Sequence, residues 1–506
     1  MKLDRKLQGV VLIFILACLS SQAMAGASVP NPPPSQAAII VTTTSDFPVS
    51  GCSLRDAILS ANQNTAVGDC ISGNLGVDRI VLQAGNSTTP YVLTADLPEI
   101  EEDLVIEGPS PSELDVNSII TDTRIIGDRG DSSLRVVDGA DLHRLFVIDS
   151  GVIALFSGFT ITRGLAQVTS TSGPVLVGGG GILVQLDAYL VAAAISVTDS
   201  KANGGGGIEL QNASVMSDED LGGNLVLLNS NVSGNESSGP ASGGGIRAGI
   251  RSSLVIQQSS IVDNRATHPN GGGGGISFFR TLTGLISNTT IAGNTAMDEG
   301  GGLRFNVISS DPTQVNIEHS TIEGNIAALG SLSGRGTNGG GIFYSLSNRD
   351  YIQLKGTIVA GNASGVFVLD DIARTSTTLL DAGLSSLGDN IIAVNDNVED
   401  VFPAGLRNVN GDFVGTSDAS LFSSIGLGTT VQVGNTFITP ISSDSIALDS
   451  AGQCGLEEDQ LFTTRAICGC DIGAAERPDP NPDDSSCLVD FYVIPLPGRG
   501  TIVVPL

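Results

Sequence analysis

Residues 259–278 read Ser-Ser-Ile-Val-Asp-Asn-Arg-Ala-Thr-His-Pro-Asn-Gly-Gly-Gly-Gly-Gly-Ile-Ser-Phe. An asparagine (Asn264), a short spacer and a glycine run lead into Ile276-Ser277-Phe278, and the pattern recurs along the chain. Its asparagines are Asn203, Asn235, Asn264, Asn294, Asn325 and Asn362, which lie 32, 29, 30, 31 and 37 residues apart. A nearly fixed period of this size marks stacked repeats. Five places before each asparagine stand Thr198, Ser230, Ser259, Thr289, Ser320 and Thr357; three places before stand Ser200, Val232, Ile261, Ile291, Ile322 and Val359. Period two puts both columns on one strand face.

A second strand follows the glycines. Its first and third positions are Ile182/Val184, Ile208/Leu210, Ile246/Ala248, Ile276/Phe278, Leu303/Phe305 and Ile342/Tyr344. Between them stand Leu183, Glu209, Arg247, Ser277, Arg304 and Phe343, a mixed column that reads as facing solvent. A third strand fits in between, as in Gly284-Leu285-Ile286-Ser287. Three strands in about 30 residues make one coil of an all-β, parallel β-helix solenoid. The asparagines read as an inward ladder at a turn, each amide bonded to the next, with asparagine itself tolerating a left-handed backbone. The glycines read as tight turns, because a phosphate-cradling loop leads into a helix and these lead into strands.

Lys2, Arg5 and Lys6, an apolar run from Val10 to Leu19 and Ala23-Met24-Ala25 have the order of a secretory signal peptide, 1–25. A lipoprotein box at Ile15-Leu16-Ala17-Cys18 is the weaker reading, since Leu16 suits it poorly. Residues 26–74 hold a Pro/Ser/Ala linker, a first strand and a cap; 75–476 the β-helix; 477–506 a Pro/Asp linker and a hairpin. The expected destination is secretion or the cell surface, and no other stretch suits a bilayer span.

Without the leader, 21 Lys and Arg face 52 Asp and Glu, a net charge of −31. That surface repels phosphate backbones and anionic lipid, so nucleic acid and membrane partners are not expected. Charged residues are only 15% of the chain and aliphatic ones abundant, so the acidity decorates a folded protein. Six cysteines remain: Cys52, Cys70, Cys454, Cys468, Cys470 and Cys487. An even count in an exported chain points to disulfides. Cys52 pairs with Cys70, since the other four lie beyond residue 450; those four form two bridges of open connectivity. His143, His268 and His319 are scattered, and Cys468-Gly-Cys470 is not a zinc spacing, so no metal or cofactor is expected.

In Cys52-Ser-Leu-Arg-Asp-Ala-Ile-Leu-Ser-Ala-Asn62, Leu54, Ala57, Ile58 and Ala61 recur at helical spacing behind Ser53 and Asp56, a near capping box. The segment resembles the CSLREA domain of exported bacterial proteins, with Asp56 standing where that motif has Glu. The resemblance continues through Asp78-Arg-Ile-Val-Leu82, Leu97-Pro-Glu-Ile100 and Leu104-Val-Ile-Glu-Gly108. It returns at Cys470-Asp-Ile-Gly-Ala-Ala-Glu476, which is similar to the ending of many bacterial surface β-helix proteins. It implies an exported right-handed parallel β-helix without a shared enzymatic activity.

Enzymes on β-helices carry recognisable chemistry. Glycoside hydrolysis commonly needs two carboxyls flanking the bond. The adjacent acids here (Asp370-Asp371 among them) have no Gly-His-Gly beside them, and Asp-Pro-His-Glu is absent. A lyase would need a basic residue near calcium-binding aspartates. Glu209, Arg247 and Arg304 are the candidate surface-binding residues, with Phe343 as the outward aromatic. The function expected is therefore adhesion or matrix contact with a glycan or surface protein. A uronate-polymer lyase or hydrolase and a purely structural spacer are the alternatives.

Overall fold

The computed structural model describes residues 37–109, 132–170, 173–213, 221–240, 242–307, 313–328, 338–346, 350–365, 368–375, 383–452, 454, 456, 458–465, 469–477, 491–496 and 500–505. Residues 1–36, with the expected signal peptide and Cys18, and the cysteines Cys468 and Cys487 lie outside them.

One coil shows the construction. Ser253–Gln257 belongs to sheet I, Ser260–Val262 to sheet II, Arg265–Ala266 to a two-residue ribbon and Ile276–Phe279 to sheet III; the chain then re-enters sheet I at Thr283–Ser287. Successive coils pair in parallel, and sheets I, II and III have 11, 12 and 8 strands. The fold is a parallel β-helix solenoid. Inward residues of all three sheets, among them Ile256, Ile261, Ile276 and Phe278, form one continuous core. Like stacks on like: Phe278 and Phe305 lie face to face with ring centres 4.5 Å apart. The glycine runs are also a column. Gly273 has a left-handed φ of +71°, and a Cβ on Gly274 would meet the Gly301 carbonyl oxygen at 2.4 Å, so a side chain fits at neither place.

The ladder is continuous from Asn235 to Asn362. Each Nδ2 donates to the next Oδ1: Asn235 to Asn264 at 3.0 Å, Asn264 to Asn294 at 3.0 Å, Asn294 to Asn325 at 2.9 Å, Asn325 to Asn362 at 2.9 Å. The second Nδ2 hydrogen goes back to a sheet II carbonyl, as from Asn264 to Val232 at 2.9 Å. The left-handed residue precedes the asparagine: Gly234, Asp263, Gly293, Gly324 and Gly361 have positive φ, and the asparagines do not. All three columns differ from the sequence alignment at the first rung: Thr198 is in register with Ser233, not with Ser230, whose Oγ accepts from Ile195 N at 3.1 Å. Asn203 is exposed, and its place in the ladder is taken by Ser200, whose N–H donates to Asn235 Oδ1 at 3.0 Å. Likewise Val197, not Ser200, is in register with Val232.

Both polar columns end in aspartate. Asn362 donates its N–H and Nδ2 to Asp371 Oδ1 at 3.0 and 2.9 Å, while Val394 N–H reaches Oδ2 at 2.9 Å. The hydroxyl column ends similarly: Thr357 N–H donates to Asn390 Oδ1, and Asn390 to Asp412 Oδ1. The direction of the ladder explains this. Every rung donates forward, so the last one needs only acceptors, which a carboxylate supplies. Burial nevertheless pushes Asp371 from 3.8 up to about 7, outweighing its three donors. A raised carboxyl stabilises the fold fully below its unfolded value of 3.8, and that contribution is lost as pH rises through about 7. Between these values Asp371 should make wild-type stability fall with pH. In Asp371→Asn chemical unfolding should show a visibly shallower decline; parallel curves for the two chains would remove Asp371 from this role.

The N-terminal end is closed by helix α1, Leu54–Gln63, which lies against Ile39–Val41 and Asp78–Leu82. Ser53 Oγ accepts from Asp56 N at 3.0 Å and donates to Asp56 Oδ2 at 2.8 Å, so the carboxylate meets the hydroxyl. Leu54, Ala57, Ile58 and Ala61 are buried in the main core. Arg55, also buried, bonds Asp46 and the carbonyls of Ala95 and Asp96, pinning the helix to the first coils. Cys52 and Cys70 are disulfide-bonded with Cα atoms 4.6 Å apart. Reduction of this bridge should cost on the order of 3 kcal/mol in the chain-entropy model. A Cys52→Ser/Cys70→Ser chain that unfolds at the wild-type denaturant concentration would contradict it.

The coils end earlier than residue 476. The last stacked strand is Phe413–Val414, and buried Val398 and Phe402 plug the open end. The described residues among 415–477 instead run back along the outside of sheet II as a strap. Its Ile425, Ala447, Ala451 and Ile472 cover Ile358, Ala360, Ile391 and Ala393, and the Cys454–Cys470 disulfide lies in the same cluster. Further back, Gln460 donates to Ser259 O at 2.9 Å and Asn435 accepts from Ser132 N at 3.1 Å. The span 75–476 read from the sequence puts these residues in the coils, yet they bury one face against a sheet formed earlier in the chain. A terminal antiparallel hairpin, Phe491–Leu496 with Gly500–Pro505, closes the chain.

Candidate functional site

Sheet III carries the residues singled out in the sequence. Its register stacks Leu183, Glu209, Arg247, Ser277, Arg304 and Phe343 in one outward column, so Ser277 separates the two arginines by a full coil. The column does not face open solvent. Glu209, Arg247 and Phe343 are 7, 6 and 3% exposed.

Its charges are paired. Arg247 Nη1 forms an ion pair with Glu209 Oε1, one coil away, and Nη2 donates to Asn212 Oδ1 at 3.2 Å. Burial pushes the Glu209 pKa up against the opposing pull of Arg247 and Arg144. Arg144, whose own pKa burial lowers, donates to the Gly178 carbonyl at 2.8 Å beside the same carboxylate. Arg304 pairs with Glu299 at 3.1 Å. A Cβ on Gly178 would come within 2.7 Å of the Glu209 carboxyl carbon, so the glycine corner closes directly over the pair. Glu209 and Arg247 thus hold adjacent coils together.

A different pair remains accessible. Phe279 extends the strand one residue beyond Phe278 and points outward, half-buried. Arg247 lies 5.8 Å from its ring centre and Arg280 lies 5.7 Å from it. Two guanidinium groups within about 6 Å of one ring are in cation–π range. Arg280 is also half-buried and has no acidic partner among the described residues. Phe279 was legible in principle, because it stands two residues after outward Ser277 in an alternating strand. The doubled Phe278-Phe279 hid it within an apolar run.

Asp370 and Asp371, the adjacent acids inside the coils, have structural partners. Asp371 ends the asparagine ladder, and Asp370 Oδ2 accepts from Gly339 N at 2.9 Å. No group of His, Cys, Asp and Glu suited to a metal ion occurs among the described residues. No helix among them is long and apolar enough to cross a membrane.

Asp471 and Glu476 of the late motif belong to the strap. They surround Arg465, 3% exposed, whose Nη1 bonds Glu476 Oε1 at 2.6 Å and Asp471 O at 3.0 Å. Its Nη2 donates to Asn288 Oδ1 at 3.0 Å, on the solenoid, and to Gly473 O at 2.7 Å. Burial raises Glu476 to about 7 even beside this cation. His319, at the corner beneath, is held down at about 3 by burial, with Arg465 and Lys355 adding to the effect. These groups fasten the strap to the solenoid. Comparison with known proteins finds no matching protein family, no matching curated protein and no matching solved structure.

Proposed function

We propose that the protein is an exported, non-enzymatic β-helix of the CSLREA type that acts in adhesion or matrix contact at a cell surface or outside the cell. Its partner is a glycan or surface protein carrying acidic groups. The observation that carries the reading is the Phe279–Arg280 ledge: a half-exposed cation and ring on a rigid sheet, in a chain of net charge −29. Among so many carboxylates, an arginine without an acidic partner is a local attractive site for an anion. Arginine and an aromatic face together also suit the carboxylates and ring faces of acidic sugars.

The test is a glycan array and a cell-surface binding assay, each run with and without calcium, on wild type and on Arg280→Glu. Binding that falls at least tenfold in the variant, with unchanged thermal unfolding, supports the reading. Retention of no acidic ligand, or equal retention by both proteins, overturns it.

A further inference from the structure

Sheet I has an open outer face at its C-terminal coils. From the strand Thr283–Ser287 onward, its outward residues stand in two uncharged columns. Thr283, Gln314 and Tyr351 are in register in the first, and Leu285, Asn316, Gln353 and Ser385 in the second. The first column is exposed, Tyr351 by 53%, and the second is half-buried. Neighbouring rungs lie about 4.8 Å apart, and the columns about 7 Å apart along each strand.

This face can form hydrogen bonds that the protein itself does not use. The side chains of Gln314, Gln353 and Tyr351 bond no other described residue. Asn316 Oδ1 is shielded from water and has no partner. The inward asparagines bond from rung to rung, yet Asn316 and Gln353, also one rung apart, do not. A shielded acceptor left unpaired costs about 1–3 kcal/mol, so it calls for a donor from outside.

Charge narrows the choice of ligand. The charged residues on these four strands are Glu318 and Lys355, which stand in register with each other. In a chain of net charge −29 this face is close to neutral, so it attracts neither a polyanion nor a polycation. A protein partner needs an apolar centre, and the two columns hold a single aliphatic side chain, Leu285, at their margin.

We propose that this face binds a neutral, extended polysaccharide, a β-1,4-linked hexose chain lying along the solenoid axis. A side-chain amide donates and accepts at once, which matches neighbouring sugar hydroxyls. Tyr351 adds a ring for the C–H side of a sugar and a hydroxyl at its tip. A β-1,4-linked chain advances about one sugar per 5 Å, close to the rung spacing of about 4.8 Å, so successive sugars meet successive rungs. An α-1,4-linked chain coils away from a flat face. The site lies on a different sheet from the Phe279–Arg280 ledge and does not depend on it.

Isothermal titration with cellohexaose and mannohexaose tests this, with maltohexaose as the coiled neutral control. At least one β-1,4-linked hexamer should bind with a Kd of about 1 mM or below. Tyr351→Ala and Gln353→Ala should each weaken it about tenfold while unfolding like wild type, because neither side chain bonds the rest of the fold. Arg280→Glu should bind as wild type does. No binding of either hexamer, equal binding of maltohexaose, or unchanged affinity in both face variants would overturn the proposal. So would a loss confined to Arg280→Glu, which would move the sugar to the sheet III ledge.

Discussion

Asn294→Leu is expected to destabilise the fold by about 3 kcal/mol or more, with Asn203→Leu within about 0.5 kcal/mol of wild type. Asn294 sits in mid-ladder with no exposed surface. Its Oδ1 accepts from Asn264 N at 2.9 Å and Asn264 Nδ2 at 3.0 Å; its Nδ2 donates to Ile261 O at 2.8 Å and Asn325 Oδ1 at 2.9 Å. Leucine is of similar size but leaves two donors and a carbonyl unpaired in a dry interior, each costing about 1–3 kcal/mol. Asn203 looks identical in the repeat yet is exposed. Urea unfolding of the two variants separates a true ladder from a merely Asn-rich repeat. Equal losses would mean that the ladder bonds do not matter.

Arg465→Met is the second large effect, about 3–5 kcal/mol. Methionine fills the space but leaves Glu476 buried beside Asp471 and Asp459, with carbonyls of residues 471 and 473 unpaired. The loss should be local. Hydrogen exchange should speed up across residues 430–477 while the Asn235–Asn325 coils stay protected, because the strap lies outside the core. Uniform acceleration over the whole chain would show that strap and solenoid unfold as one unit.

The coils were legible because a solenoid repeats its physics. Inward strand positions must be apolar in every coil, glycine corners leave no room for a Cβ, and ladder amides need like neighbours. The first rung was misread where that regularity failed. Ser200 was the single polar residue in an otherwise apolar column, and that exception marked the alignment as three residues out of register. The strap escaped because its packing is set by a sheet far away in sequence: Ile472 packs on Ile358 and Ile391, more than 80 residues earlier. The site was misread for a related reason. A strand's alternation says which residues point away from the core, but not whether corner loops then cover them, as they cover Glu209 and Arg247. Phe279, one residue past the repeat, remained accessible.

The account holds that Arg247 is fixed in an ion pair between coils and Arg304 in one with Glu299 at its own corner, and that the protein binds without cleaving. The most direct test incubates the protein with pectate, alginate and other uronate polymers, with and without calcium, and follows release of unsaturated oligosaccharides. No release is predicted under any condition. Release that disappears in Arg247→Ala or Arg304→Ala would contradict the account and make the protein a lyase.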